Sequence, residues 1–246
     1  MNWSGAYVDD ARSRAQMQYR LHMADSERPR IGITADITRD DRGRARHQVP
    51  ATYIDAVVAA GGLPIILPAS AELRKELLGA VDGVIIIGGN DVDTREFGIP
   101  LHSEAQVIDA ARQAADLALL KDLDATPTLP VLGICLGMQL MGVYQGAELI
   151  QHLGDQLADS DRHRNDYKHI VESALGNGPV ASSHHQALAD AGRLEVIGLS
   201  DDGVIEAIRD PSKPFYVGVQ WHPERTDDLT MGLGVIRLLV EAARRR

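Results

Sequence analysis

The sequence predicts an α/β fold in which helices flank a mostly parallel central sheet. From Arg30 onward, short apolar runs rich in β-branched residues alternate with segments of helical periodicity. Residues 84–87 are apolar without interruption, as expected of a strand that is buried on both faces. In the second half, apolar runs follow one another through short turns, so we expect some antiparallel strands there.

The strands and helices of the first half are placed by the spacing of their apolar residues. The predicted strands span residues 31–35, 63–68, 84–87 and 129–134, and the predicted helices span residues 49–60, 104–123 and 138–145. Gly61 and Gly62 end the first helix, and Pro127 follows the second. Ser70 is the candidate N-cap of one further helix.

The second half is predicted to be richer in strands. They cover residues 170–172, 194–197, 204–208 and 216–220, and residues 229–243 have the amphipathic spacing of a closing helix. We therefore expect residues 30–246 to form one domain. Residues 1–29 read as a polar leader, for which disorder and an over-extended start both remain open because Met17 and Met23 lie within it.

Composition excludes several classes of protein. The formal net charge of -10 would repel nucleic acid, and no segment has the roughly 20 consecutive apolar residues of a membrane helix. A single cysteine allows neither an intramolecular disulfide nor a Cys-rich zinc site. The leader lacks the apolar core of a secretory signal. We expect a cytoplasmic protein without nucleic-acid or membrane partners.

The most informative motif surrounds that cysteine. An apolar strand runs into Gly133-Ile-Cys135-Leu-Gly137 and then into a helix, which is the pattern of a nucleophile elbow. The two glycines permit a tight reversal that presents the cysteine at the amino end of the helix, where a thiolate is favoured. The alternative is a buried, inert cysteine.

A second motif offers a base for the thiol. The apolar strand at residues 216–220 leads into His222-Pro223-Glu224. An imidazole activates a thiol when a carboxylate holds its other nitrogen, and Glu224 is near enough in sequence to do so. The alternative is a strand end followed by a surface glutamate.

Together these motifs resemble the class I glutamine amidotransferase superfamily, and most of all its γ-glutamyl hydrolase branch, peptidase C26, which includes γ-glutamyl-γ-aminobutyrate hydrolases. The resemblance covers residues 30–239 and implies a flavodoxin-like catalytic domain. It also implies that Cys135 is the nucleophile and that His222 and Glu224 complete a triad. No cofactor is expected.

Two more segments carry the resemblance. Gly88-Gly-Asn-Asp-Val-Asp93 is similar to the G-G-x-D-V loop of the branch, although a simple tight turn would also explain it. Glycines after a central strand expose backbone N–H groups, so we expect Gly89 and Leu136 to form an oxyanion hole. Residues 182–186 resemble the substrate-lining S-x-H-H-Q segment. The implied substrate-binding residues are Gly88, Asn90, Gln139, Ser183, His184 and His185.

Two further sets of polar residues can each be interpreted in more than one way. A metal is not expected at His184 and His185, because adjacent strand residues face opposite sides and no acidic or cysteine partner recurs nearby at ligand spacing. Asp109, Arg112 and Asp116 loosely resemble a helical motif of the branch, but a solvated helix face explains them equally well.

The expected reaction is hydrolysis of a small-molecule γ-glutamyl amide, such as γ-glutamyl-γ-aminobutyrate, through a γ-glutamyl thioester. Leu136, Gly142 and Thr94 depart from the hydrolase branch, and G-I-C-L-G is common among synthase-linked glutaminases. A glutaminase subunit that supplies ammonia to a synthase partner is therefore one alternative. A non-catalytic ligand-binding relative is another, and a homodimer is open in each case.

Overall fold

A nine-stranded mixed sheet is the centre of the structure, a computed structural model that describes residues 28–70 and 72–246. The strands are β1 (Arg30–Thr34), β2 (Asp36–Arg39), β3 (Ala45–Gln48), β4 (Leu63–Leu67), β5 (Gly83–Ile86), β6 (Val131–Ile134), β7 (Leu149–Ile150), β8 (Tyr167–Ser173), β9 (Gly176–Ser182), β10 (Ala187–Leu188), β11 (Glu195–Ser200), β12 (Ile205–Arg209) and β13 (Tyr216–Val219). The α-helices are α1 (Ala51–Ala59), α2 (Arg74–Gly79), α3 (Ala110–Asp124), α4 (Leu136–Tyr144) and α5 (Val235–Arg244). The predicted leader falls mostly outside the described residues.

The large sheet has the order β4-β1-β5-β6-β13-β12-β11-β8-β9. Its first five strands are parallel, whereas β12, β11, β8 and β9 join by antiparallel pairing. The predicted fold class is therefore confirmed, including the antiparallel strands of the second half. Two small sheets, β2 with β3 and β7 with β10, lie beside the large one.

Both faces of the sheet are covered by apolar helix surfaces. In β5, Val84 and Ile86 face a core that includes residues of α2, α3 and α4, whereas Ile85 faces the core formed with α1 and α5. All three side chains are fully buried, which explains the uninterrupted apolar run in the sequence. Trp221 is also fully buried, and its indole N–H donates to the Met231 carbonyl at 2.8 Å.

Several predicted boundaries were wrong. The helix predicted from residue 104 begins at Ala110, because the Asp109 side chain accepts a hydrogen bond from the Ala111 N–H and caps it. Ser70 caps no helix: α2 begins at Arg74, and its N-cap Leu73 makes no side-chain hydrogen bond. The closing helix starts with a π-helical turn at Thr230–Gly234 before α5.

Three strand pairs were not predicted. The hairpin of β2 and β3 was not predicted because β3 is exposed and mostly polar, and its sequence lacks the alternation that marks a half-buried strand. Strand β9 contains Gly176, Gly178 and Pro179, residue types that indicate turns. The pairing of β7 with β10 involves only two residues from each strand.

The contact between α4 and β5 depends on Gly137. A Cβ atom at this position would overlap the carbonyl oxygen of Ile86 and lie 3.1 Å from its Cβ. The amino end of α4 can therefore approach the end of β5 only because residue 137 has no side chain.

We expect Gly137→Ala to lower the free energy of unfolding by about 1–3 kcal/mol, because the methyl group would force α4 away from the sheet. Gly79→Ala is the matched control, since a Cβ at this helical position meets nothing within 4 Å. Urea denaturation of both variants measures the difference. Equal stability of the two variants would mean that the contact tolerates a side chain.

Candidate active site

Cys135 occupies a strained turn between β6 and α4. Its backbone has φ 52° and ψ -109°, a conformation that residues with a side chain rarely adopt. The Cys135 N–H donates to the Val219 carbonyl at 2.8 Å, so the turn is attached to neighbouring β13. The thiol is thus held at the amino end of α4.

His222 follows β13, the strand beside β6. Its main-chain N–H donates to the Ala181 carbonyl at 2.9 Å, and its carbonyl accepts from the Thr226 hydroxyl at 2.8 Å. Pro223–Arg225 then form one 3-10 turn that brings Glu224 back against the imidazole. His222 Nδ1 lies 2.8 Å from Glu224 Oε1, and both side chains are buried.

Gly88 lies between the segment that carries Cys135 and the segment that carries His222. A Cβ atom on Gly88 would lie 3.0 Å from His222 Cε1 and 3.4 Å from Cys135 Cβ. The thiol and the imidazole are therefore on the same edge of the sheet. The Gly88 N–H donates to the Tyr53 hydroxyl at 3.0 Å, which fixes the start of the loop after β5. Sequence reasoning missed Tyr53, which lies in α1 without any motif around it.

The electrostatics of His222 favour its charged form. Burial alone would favour the neutral imidazole, but the Cys135 thiolate and the Glu224 carboxylate outweigh it and raise the pKa of His222 to about 9. At neutral pH the ring is an imidazolium that can donate a proton from Nε2 while Glu224 holds Nδ1–H.

Arg112 holds the loop that follows β5. Its Nη2 donates to the carbonyl oxygens of Ile87 and Gly88, each at 2.9 Å, while Nη1 donates to Asp36 at 2.9 Å and Nε lies 3.3 Å from Asp116. Arg112 is fully buried and Asp116 nearly so. The interpretation of these two residues as a solvated helix face was therefore wrong; Arg112 supports the loop instead.

The two predicted oxyanion donors are neighbours. A Cβ on Gly89 would lie 3.0 Å from Leu136 Cδ2 and would overlap the Arg112 guanidinium. Leu136 is the first residue of α4, so its N–H has no acceptor within the helix. The structure thus brings both backbone segments to the edge that carries Cys135, in an arrangement that allows a shared anion site.

A cleft of about 340 Å³ opens over Cys135. Of the predicted substrate-binding residues, it is lined by Asn90, Gln139, Ser183, His184 and His185, together with Gly89. Gly88 lies against the side chains of His222 and Cys135 instead. The lining residues that sequence reasoning missed are Asp91, Glu104, Gln106, Arg164, Asn165 and Gln186. Asp91 and Gln186 belong to the two loop motifs singled out in the sequence, whereas the other four come from connecting segments whose sequences have no pattern linking them to the cysteine.

The two adjacent histidines point in different directions. His185 Nε2 lies 2.8 Å from Asp91 Oδ2, and its Nδ1 lies 3.2 Å from Nδ1 of His152. His184 turns inward, with Nδ1 2.9 Å from the Gln186 carbonyl and Nε2 3.5 Å from Glu206 Oε1. His185 is therefore paired with a carboxylate of the cleft wall, whereas the Nε2 of His184 faces the buried Glu206.

Gln139 is buried beneath the cleft in a fixed orientation. Its Nε2 donates to the Gln186 carbonyl at 2.9 Å and to Gln220 Oε1 at 3.1 Å. Because both N–H groups are used, the side chain can offer only its carbonyl oxygen to a ligand. Such an oxygen suits an ammonium group.

Comparisons with known proteins identify the class. The fold matches a Thermoplasma acidophilum protein described as part of a GMP synthase, with a TM-score of 0.61, 15% identity and coverage of 89% of this chain and 96% of that one. Among relatives, the glutamine amidotransferase-like protein YvdE of Lactococcus lactis is 36% identical over 71% of this chain and 80% of its own. The γ-glutamyl-γ-aminobutyrate hydrolase PuuD of Escherichia coli is 31% identical over 74% and 81%, respectively.

The fold and the cysteine elbow thus define a protein of the glutamine amidotransferase-like class. More narrowly, the chain belongs to the peptidase C26 family, whose model matches residues 29–224, so it is a member of a family of hydrolases. Within the described residues, no helix has both the length and the apolar character required to cross a membrane.

We expect Arg112→Lys to lower the free energy of unfolding by about 1–3 kcal/mol. A lysine keeps the charge, but a single ammonium cannot reach the Ile87 and Gly88 carbonyls and both carboxylates at once. Arg39→Lys is the control, because Arg39 pairs with Asp109 on the surface and such pairs contribute little. Chemical denaturation measures the free energy of unfolding of both variants. An equal decrease in the two would show that the hydrogen bonds of Arg112 contribute no more to stability than a surface ion pair.

Proposed function

We propose that the protein hydrolyses a γ-glutamyl amide and releases glutamate and an amine. The observation that carries this proposal is the meeting of Cys135, on a strained elbow, with an imidazole that a buried carboxylate holds at 2.8 Å. A nucleophile beside a base that is oriented by a third group is the arrangement required for acyl transfer. Membership of the peptidase C26 family and the likeness to PuuD favour the γ-glutamyl group as the acyl part.

The reaction has two steps. The Cys135 thiolate attacks the δ-carbonyl carbon, the Gly89 and Leu136 N–H groups stabilise the oxyanion, and the C–N bond breaks as the His222 imidazolium protonates the leaving amine. Water then attacks the γ-glutamyl thioester, His222 takes a proton from it, and glutamate leaves as the thiolate is restored. Glu224 keeps the ring oriented in both steps.

The cleft carries both charges that a glutamyl group requires. Arg164 supplies a positive charge for an α-carboxylate, whereas Glu104, Asp91 and the carbonyl oxygen of Gln139 suit an α-ammonium. Asn90 and the backbone at Ser183 supply further polar groups along the same wall. We propose that these groups bind the amino-acid end of the substrate and leave the amine directed toward solvent.

We expect Cys135→Ala to lower kcat/KM for the best γ-glutamyl amide by about 10⁴-fold or more, because no other nucleophile replaces the thiol. The substrate is found by screening purified protein against glutamine and γ-glutamyl amines, including γ-glutamyl-γ-aminobutyrate. Rapid quenching followed by mass spectrometry should detect a γ-glutamyl adduct on the wild type alone. Circular dichroism checks that the variant is folded.

Two results would contradict the proposal. Retained activity in a folded Cys135→Ala variant would remove the thioester mechanism. Glutamine hydrolysis that appears only after a synthase protein is added would favour the glutaminase alternative instead.

We expect Glu224→Gln to move the alkaline limb of kcat/KM to lower pH by about one unit or more. The carboxylate helps to raise the pKa of His222 to about 9, so an uncharged amide lowers it and the imidazolium loses its proton sooner as the pH rises. Glu241→Gln, a change on the exposed surface of α5, is the control. An unchanged alkaline limb in Glu224→Gln would show that His222 is not the group that titrates.

A further inference from the structure

Three histidines surround one carboxylate in the interior of the antiparallel half. His163, His169, His184 and Glu206 are all at most 6% exposed. His163 Nδ1 and His184 Nε2 each lie 3.5 Å from Glu206 Oε1, and His169 Nε2 lies 3.3 Å from the same oxygen. The proposed reaction uses none of these side chains. This group of four residues is called the Glu206 cluster below.

The outward nitrogen of each ring is already bound. His163 Nε2 lies 2.9 Å from Asp202 Oδ2, His169 Nδ1 lies 3.2 Å from the Arg162 carbonyl, and His184 Nδ1 lies 2.9 Å from the Gln186 carbonyl. Carbonyl and carboxylate oxygens only accept hydrogen bonds, so each outward nitrogen must carry a hydrogen. In a neutral ring, the inward nitrogen then presents a lone pair.

These inward atoms have no hydrogen-bond partner among the described residues. Three lone pairs that face a buried carboxylate repel one another and the carboxylate, and buried polar atoms without partners are costly. Such a cluster requires a positive centre. Either protons on the rings or a cation among them can supply it.

We propose that the Glu206 cluster binds a zinc-type divalent cation, with His163, His184 and Glu206 as ligands. His169, whose Nε2 lies 3.3 Å from Glu206 Oε1, becomes the fourth ligand when its ring moves inward. Zinc binds nitrogen and oxygen at about 2.0–2.1 Å in a tetrahedron, whose edges are therefore about 3.3 Å long. The separations of 3.3–3.5 Å between Glu206 Oε1 and the ring nitrogens match these edges. They exceed the usual length of a charge-assisted N–H···O bond, about 2.7–2.9 Å.

The geometry elsewhere in the cluster also fits a metal site. One ligand atom from each of His163, His184 and Glu206 lies within 4.8 Å of the other two, so small inward movements of the rings complete the coordination. Each ring has an acceptor on its outer nitrogen, as metal-bound histidines almost always do. A divalent cation would change the formal charge of the cluster from -1 to +1, and the Asp202 carboxylate, 2.9 Å from His163 Nε2, would balance it.

The position of the cluster gives the cation a structural role. Glu206 lies in β12 and His169 in β8, whereas His163 and His184 come from segments that reach the cleft through Arg164 and His185. The ion would link these two segments to strands β8 and β12 of the sheet. It would lie outside the proposed reaction, at the Nε2 atom of His184, whereas His185 pairs with Asp91.

The expectation that no metal binds here rested on spacing in the sequence. No acidic residue follows His184 at ligand spacing, but the folded chain places Glu206 of β12 at 3.5 Å from the His184 ring, and β8 pairs with β9, which precedes His184. Strand β12 was predicted as an apolar run, and Glu206 is its single acidic residue.

The experiment measures metal in the full chain, purified without a polyhistidine tag. We expect about one zinc ion per chain by inductively coupled plasma mass spectrometry after incubation with zinc and gel filtration. Cobalt(II) in its place should give the visible absorption of a four-coordinate ion without a thiolate charge-transfer band. Glu206→Gln and His163→Gln should each lower the metal content at least tenfold.

Two control variants separate this site from others. Cys135→Ala should keep the metal, because the thiol belongs to a different site, and so should His102→Gln, which removes a histidine paired with Asp155 near the surface. Wild-type protein that retains less than about 0.1 ion per chain after incubation with either metal would overturn the proposal. So would loss of the metal in Cys135→Ala. If Glu206→Gln fails to fold, the zinc content and cobalt spectrum of the wild type still decide the matter.

Discussion

The site depends on the parallel arrangement of three adjacent strands. Because β5, β6 and β13 are neighbours and run in the same direction, their carboxyl ends meet at one edge. Gly88 follows the first, Cys135 the second and His222, after a short extension, the third. Residues almost ninety positions apart therefore face each other without any long loop having to fold back, and the sheet determines their separation.

That arrangement requires backbones to approach unusually closely. Gly137 lets α4 contact the end of β5, and Gly88 leaves room for both the thiol and the imidazole. The strained φ of Cys135 is maintained by the same packing, since its N–H is bonded to β13 while the following helix is held against β5. The charged side chain of Arg112 also holds the loop after β5, because it donates hydrogen bonds to the two carbonyl oxygens that precede Gly89. The reactive groups are thus held by glycines and by one buried guanidinium.

Much of this was visible in the sequence, and the exceptions have physical causes. The uninterrupted apolar run at residues 84–87 and the glycines around Cys135 predicted the central strand and the elbow, because burial and close approach leave local signatures. The sequence left the role of Arg112 open, because the chemistry of a charged residue on a helix does not reveal what it faces. Its partners Asp36 and Ile87 come from other elements, and only their assembly shows that the guanidinium is buried.

The same reasoning explains why the triad was easier to propose than the cleft. His222 and Glu224 are two residues apart, so one turn fixes their relation, whereas Arg164 and Glu104 reach the cleft from unrelated loops. The thiol and the imidazole follow parallel strands, whereas other cleft residues come from the connections between elements. Glu104 lies between β5 and α3, and Arg164 lies between β7 and β8. The connection that carries Arg164 also carries His163 of the Glu206 cluster. Under the proposed function, the residues that contact the substrate should therefore change with loop sequence, while the position of the proposed nucleophile stays constant.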